Sequence, residues 1–279
     1  MFIDTHTHVN FNSFRGDSSD VITRALDNNT WLINVGSQLS TSRRAVKIAG
    51  NYEQGVYAAV GIHPIHLIAA NVDEEDMQFE SRAEEFNYDA YKELAQNKKV
   101  VAIGEIGLDY FHMRDRVKID VDEKKIEEIK NNQKETFIKQ FKLAQELNLP
   151  VIIYSREAHE DLIEIIGKLK LHYPLAKGVI HCFDGDLEMA KRYFDLGLMV
   201  SFTGLVTFVK GYDWIKDIPE DKFMIETDSP YLTPPPYRGE RNEPVYVKYI
   251  AQKIAEIRGV SVEKIEEITT RNAKEFFNI

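Results

Sequence analysis

Eight short apolar runs, rich in β-branched residues, recur along the chain with helix-patterned stretches between them, and few folds accommodate that alternation. The runs are Phe2-Ile3-Asp4, Trp31 to Val35, Val56 to Val60, Val100 to Ile103, Pro150 to Tyr154, Gly178 to Cys182, Leu198 to Phe202 and Phe223 to Glu226. Runs this short and this apolar suit strands buried on both faces. Helices are predicted at Ser18 to Asn28 (capped by Ser18, Ser19 or Asp20), Thr41 to Ala49, Tyr88 to Gln96, Lys125 to Leu147, His159 to Leu169 and Leu187 to Leu196. Three more close the chain: Val245 to Arg258, Val262 to Ile268 and Asn272 to Phe277. A parallel sheet covered by helices follows, and eight strands is the count that closes it: an α/β chain with a single (β/α)8 TIM barrel. The alternative, a doubly wound open sheet, usually carries a glycine-rich phosphate loop after its first strand. Here that position holds histidines.

No linker or low-complexity tract interrupts residues 1–279, so one domain is expected. Two segments stand outside the alternation. Residues 71–85 are acidic (Asp73, Glu74, Glu75, Asp76, Glu80, Glu84, Glu85) and read as a solvated loop, and residues 112–123 read as a charged insertion. Hydrophobic residues at 43% and charged residues at 29% exclude a disordered chain. No apolar run approaches the roughly 20 residues of a membrane span, and no basic-then-apolar leader opens the sequence. With Cys182 as its one cysteine, the chain is expected to be cytoplasmic, monomeric and without a membrane partner. A net charge of −10 excludes a broad basic surface for gripping duplex DNA. An acidic chain still processes nucleic acid where bound cations meet the phosphates.

Active sites of such barrels lie where the strands end. The first run leads into His6-Thr7-His8, and a strand's period of two puts both imidazoles on one side, a metal-ligand geometry as well as an ordinary strand-end histidine pair. The third run ends in His63, the fourth in Glu105, the sixth in His181 and the eighth in Asp228. Closure sets the eighth strand beside the first, bringing Asp228 to the His pair although 220 positions separate it from His8. Singly, Glu105 and Asp228 also suit helix caps, and His181 suits a hydrogen-bonded core histidine. Jointly, such a cluster is costly in desolvation and repulsion without a cation.

The segments Ile3 to His8, Gly61-Ile62-His63-Pro64, Gly104 to Asp109, Gly178 to Phe183, Glu226 to Tyr231 and Arg238 to Pro244 together resemble the TatD family of metal-dependent deoxyribonucleases, amidohydrolase-like TIM barrels. The resemblance runs in order through almost the whole chain, leaving out only the acidic loop and the insertion. It implies one or two divalent ions: His6, His8 and Asp228 on the first, Glu105 shared, His181 on the second. It also implies hydrolysis of DNA phosphodiesters, often from the 3′ ends of single strands. Imidazole with carboxylate suits Mg, Mn or Zn, which would supply Lewis-acid support for a phosphoryl oxygen. Asp228 and Glu105 are the expected catalytic groups, with Asp228 the base for the attacking water. His63 and Arg156 are expected to hold substrate phosphate, their alternatives being a loop residue ordered by Pro64 and a partner for a carboxylate.

One position departs from the family pattern. After the fifth strand that pattern resembles Val-Ile-Ile-His-Ser-Arg, its histidine ligating the second ion, whereas this chain reads Val151-Ile152-Ile153-Tyr154-Ser155-Arg156. A phenol with a reference pKa near 10 is a poor neutral-pH substitute, and His159 lies beyond, on the following helix. The second ion is therefore expected to bind weakly. Arg238 to Pro244 reads as a turn with Asn242 capping the next helix. Phe11, Phe14, Phe111 and Tyr231 follow strand ends, where they would stack bases or pack the core. Two other functions fit the same residues: an amidohydrolase-like enzyme acting on a C–N or ester bond, and a catalytically impaired nucleic-acid-binding relative.

Overall fold

The computed structural model describes residues 1–74, 77–112 and 123–279. Its strands are β1 (Phe2–Thr7), β2 (Thr30–Val35), β3 (Val56–Val60), β4 (Ala69–Glu74), β5 (Met77–Arg82), β6 (Val100–Asp109), β7 (Val151–Arg156), β8 (Gly178–Ile180), β9 (Met199–Phe202) and β10 (Phe223–Ile225). Eight of them form one sheet in the order β1-β2-β3-β6-β7-β8-β9-β10, every pairing parallel. A parallel bridge between Thr7 and Ser229 joins the two edges. Across this seam the His8 N–H donates to Ser229 O at 2.8 Å and the Asp228 N–H donates to His6 O at 2.9 Å. The buried Asp4 carboxylate reinforces it, accepting from the Thr227 N–H at 2.8 Å and the Thr227 hydroxyl at 2.6 Å. The fold is the expected TIM barrel.

Strand alternation divides the core in two. Ile3, Ile33, Val35, Ala59, Val101, Ile152, Val179 and Met224 point into the barrel, where Phe276 and Phe277 join them. Their neighbours Leu32, Ala58, Val60, Val151, Ile153, Ile180, Phe223 and Ile225 face the helical layer. That layer comprises α1 (Ser18–Asp27), α2 (Leu39–Ala49), α3 (Tyr88–Ala95), α4 (Glu123–Glu146), α5 (His159–Lys170), α6 (Leu187–Asp195), α7 (Leu205–Phe208), α8 (Val247–Arg258) and α9 (Val262–Phe277). Local chemistry sets its ends: the side chains of Asn87, Asp186 and Ser261 accept backbone N–H groups at the starts of α3, α6 and α9, and left-handed Gly259 stops α8.

The structure corrects three sequence readings. Within the acidic stretch β4 pairs antiparallel with β5, Val72 standing in register with Phe79. Its acidic residues obscured a period-two pattern in which Met77, Phe79 and Ser81 alternate with Gln78, Glu80 and Arg82. β6 runs six residues past Ile103, because Ile106 and Leu108 resume the apolar alternation after a register shift. The last two predicted helices are one, α9. The helix runs through the gap left between them: the Thr269 hydroxyl donates to Ile265 O one turn back, and the buried Asn272 amide donates outward to Glu220 O and Phe223 O. Of the expected insertion, residues 113–122 lie outside the described residues.

Candidate metal centre

Five of the six residues expected at the rim bring their ligand atoms into two groupings that share His6. His6 Nε2 and His8 Nε2 lie 3.2 Å apart. Glu105 Oε2 is 3.5 Å from His6 Nε2 and 3.8 Å from His8 Nε2. Asp228 Oδ1 is 3.9 Å from His6 Nε2, 3.3 Å from His8 Nε2 and 3.7 Å from His181 Nε2. Atoms about 2.1 Å from a common ion at angles of about 90–140° are about 3.0–3.9 Å apart, so the spacing fits a cation among them. Both groupings of three donors that could hold an ion, His6–His181–Asp228 and His6–His8–Glu105, contain His6.

Two of the rings, His8 and His181, are aimed by what lies behind them. His8 Nδ1 is 2.9 Å from Val35 O, an acceptor, so the proton sits on Nδ1 and the Nε2 lone pair faces the centre. His181 Nδ1 lies 2.7 Å from Glu226 Oε1, which turns its Nε2 to the centre. Burial, with the neighbouring His181 and His8, holds the His6 pKa well below the ordinary value and keeps the ring neutral. Burial acts the same way on His181, but Glu226, Asp228 and Glu105 outweigh it and hold its pKa up at about 10. A cation entering here would displace that proton. Asp228 itself sits in the left-handed region, at φ 57°, which aspartate tolerates better than most residues.

Glycines let Glu105 approach. A Cβ on Gly104 would lie 2.6 Å from the Ile152 Cβ, and one on Gly107 would lie 1.9 Å from Tyr154 O. The Glu105 carboxylate then divides its oxygens: Oε2 faces the His6–His8 pair, while Oε1 is 3.7 Å from both His63 Nε2 and His181 Nε2.

The Oε1 side differs in chemistry. His63 Nδ1 accepts the Ile65 N–H at 3.1 Å, and burial lowers the His63 pKa to about 3, so the neutral ring carries its proton on Nε2. His63 therefore offers an N–H to the centre, not a lone pair. The Tyr154 ring meets His63 edge-on at 4.2 Å. Burial, followed by the charge of Asp109, pushes the phenol pKa well above its ordinary value, while a hydrogen bond from Arg156 acts the other way. Tyr154 and Arg156 share a strand face, and the Arg156 guanidinium lies 4.2 Å over the Phe111 ring.

Sequence reasoning missed several supporting residues. His112, taken as the start of the insertion, is buried with its Nδ1 2.5 Å from Asp109 Oδ2; the pair lies inside a charged run that masks it. Asn242 does not cap a helix: its amide donates to Thr227 O and Tyr231 O, fastening the loop that carries Asp228. His159 contacts Ser155 Oγ, the Tyr193 hydroxyl and Asp184 rather than the rim. Among the aromatics, Phe14 is core, whereas Phe11 stacks on His8 at 4.2 Å.

A closed parallel barrel with a histidine–carboxylate centre at the carboxyl ends of its strands defines a metal-dependent hydrolase. The sequence profile of the family described as TatD related DNase matches residues 3–278, and the chain belongs to that family. It is 40% identical to the uncharacterized metal-dependent hydrolase YabD of Bacillus subtilis, covering 100% of both chains. It is 30% identical to the protein of Pantoea ananatis named 3′-5′ ssDNA/RNA exonuclease TatD, covering 99% of each. Among solved structures it resembles YjjV, a TatD homologue from Escherichia coli, with a TM-score of 0.80 and 27% identity, covering 100% of this chain and 98% of that one. No helix among the described residues is long and apolar enough to cross a membrane.

Proposed function

We propose that this protein is a metal-dependent exonuclease that removes nucleotides from the 3′ ends of single-stranded DNA. The observation that carries the reading is the clustering of His6, His8, Glu105, His181 and Asp228 in two groupings that share His6, with His63 Nε2 3.7 Å from Glu105 Oε1. The name of the Pantoea ananatis relative supports it. A divalent ion, Mg, Mn or Zn, held by those five residues supplies positive charge to the phosphoryl oxygens and makes water there more acidic. Asp228 takes the proton of the attacking water. Glu105 holds its position between the two sides of the centre, and the His63 N–H and the Arg156 guanidinium orient the scissile phosphate. Phe11, stacked on His8, offers a face to a terminal base, a contact that an acidic protein makes without a basic groove.

The test is an end-labelled single strand incubated with purified protein, with and without chelator, alongside duplex DNA, RNA and a panel of small amides and esters. Stepwise loss of nucleotides from the 3′ end, abolished by chelation and restored by metal, is the expected result. Turnover of an amide or ester with DNA left intact would replace this reading with the amidohydrolase one. Metal binding with no turnover of any substrate would mark an impaired relative.

A further inference from the structure

The two sides of Glu105 are built for opposite charges. On the Oε2 side stand two imidazole nitrogens, His6 Nε2 and His8 Nε2, with Asp228 Oδ1 3.3 Å from the latter. On the Oε1 side, besides His63, the ligand nitrogen in reach among the described residues is His181 Nε2, which also belongs to the first cluster through Asp228. The next groups out are hydrogen-bond donors. His63 presents an N–H because its other nitrogen is taken by the Ile65 N–H. Tyr154 packs edge-on against His63 at 4.2 Å, and the guanidinium of Arg156, on the same strand face, hydrogen-bonds to it. A second cation would find an incomplete shell there, and a ring of donors would face it. An oxyanion would find what it requires.

We propose that the centre holds one cation, and that the space a second would occupy is an oxyanion pocket where the Tyr154 hydroxyl, the His63 N–H and the Arg156 guanidinium receive a phosphate. Identifying that phosphate as the scissile one rests on the nuclease reading; the pocket and the ion count do not. The pocket depends on the first ion, because Glu105 and Asp228 would repel an anion while their charge is uncompensated. Tyr154 is then a specificity-determining residue. It adds a donor to phosphate without adding a metal, and it is matched to oxyanion substrates rather than to neutral amides.

Two binding measurements on the whole chain test this. Equilibrium dialysis against Zn, with the bound metal counted by mass spectrometry, should give one ion per chain at concentrations that saturate the first site. Calorimetric titration of the one-ion protein with inorganic phosphate should show binding that chelation abolishes. Tyr154→Phe should weaken phosphate binding about 5–10-fold, the loss expected for one hydrogen bond, and leave the ion count at one. Tyr154→His restores a nitrogen lone pair, so it should raise the ion count toward two and give the pocket to metal. Two ions of equal affinity in the wild type, or phosphate affinity unchanged in Tyr154→Phe, would overturn the proposal. Failure of the nuclease reading would look different: one ion and metal-dependent phosphate binding would remain, with no hydrolysis of DNA.

Discussion

Glu226 Oε1 lies 2.7 Å from His181 Nδ1 and accepts the Cys182 N–H at the same distance, so one buried oxygen fixes both the ring and the backbone that carries it. A carboxylate behind an imidazole sets its tautomer and raises its basicity as a ligand. Glu226→Gln keeps the shape but offers a weaker, uncharged acceptor. Calorimetry should show metal affinity reduced by about 10–100-fold, while circular dichroism shows the fold retained. Unaltered affinity would mean that the backbone alone aims His181.

In the proposed mechanism Asp228 is both ligand and base. Asp228→Asn should lower turnover by about 10²–10⁴-fold while circular dichroism stays that of the wild type. Near-normal hydrolysis by a folded Asp228→Asn protein would remove it from the mechanism.

Metal should also stabilise the fold by mass action. At an ion concentration 100 times Kd the gain is about 2.7 kcal/mol, read as a rise in Tm on adding Mn or Zn. His6→Ala combined with His8→Ala should erase the rise, and a wild type that melts identically with and without metal would refute the centre.

A fourth prediction concerns acid. His66, its Nε2 3.2 Å from Ser37 Oγ, is buried, and burial lowers its pKa to about 4, with Glu105 opposing. The unfolded chain protonates this residue near pH 6.5, the folded chain only near pH 4. Within that window the unfolded state binds more protons, so stability falls as pH drops through it and this contribution is constant above it. His66→Gln should therefore lose less stability than the wild type between pH 7 and pH 4.5, by about 2–3 kcal/mol. Urea titrations at the two pH values measure the difference, and equal losses in both proteins would rule His66 out.

Much of this was legible in the sequence because the barrel rule ties function to strand ends: His6, His8, Glu105, His181 and Asp228 each follow an apolar run. The pairings behind them were not legible. Glu226 lies beside Asp228 in sequence yet acts on His181, a contact that only the β8-β9-β10 order creates. Asp109 and His112 are close in sequence, but their burial depends on a strand longer than its apolar start suggests. Tyr154 stood out as a departure. That its neighbour His63 faces the centre with a proton depends on one backbone N–H, from Ile65, which no pattern of residue types encodes.

The seam between β1 and β10 sets an order of events during synthesis. His6 and His8 leave the ribosome early, but the Thr7–Ser229 bridge and the Asp228-to-His6 hydrogen bond need strand β10, which is made late. A nascent chain short of that strand carries the first histidines without the aspartate that completes their cluster, and its sheet still has two open edges. Closing the barrel and bringing the histidine–carboxylate cluster together are thus a single long-range step, and the polypeptide completes that cluster only after most of it has left the ribosome.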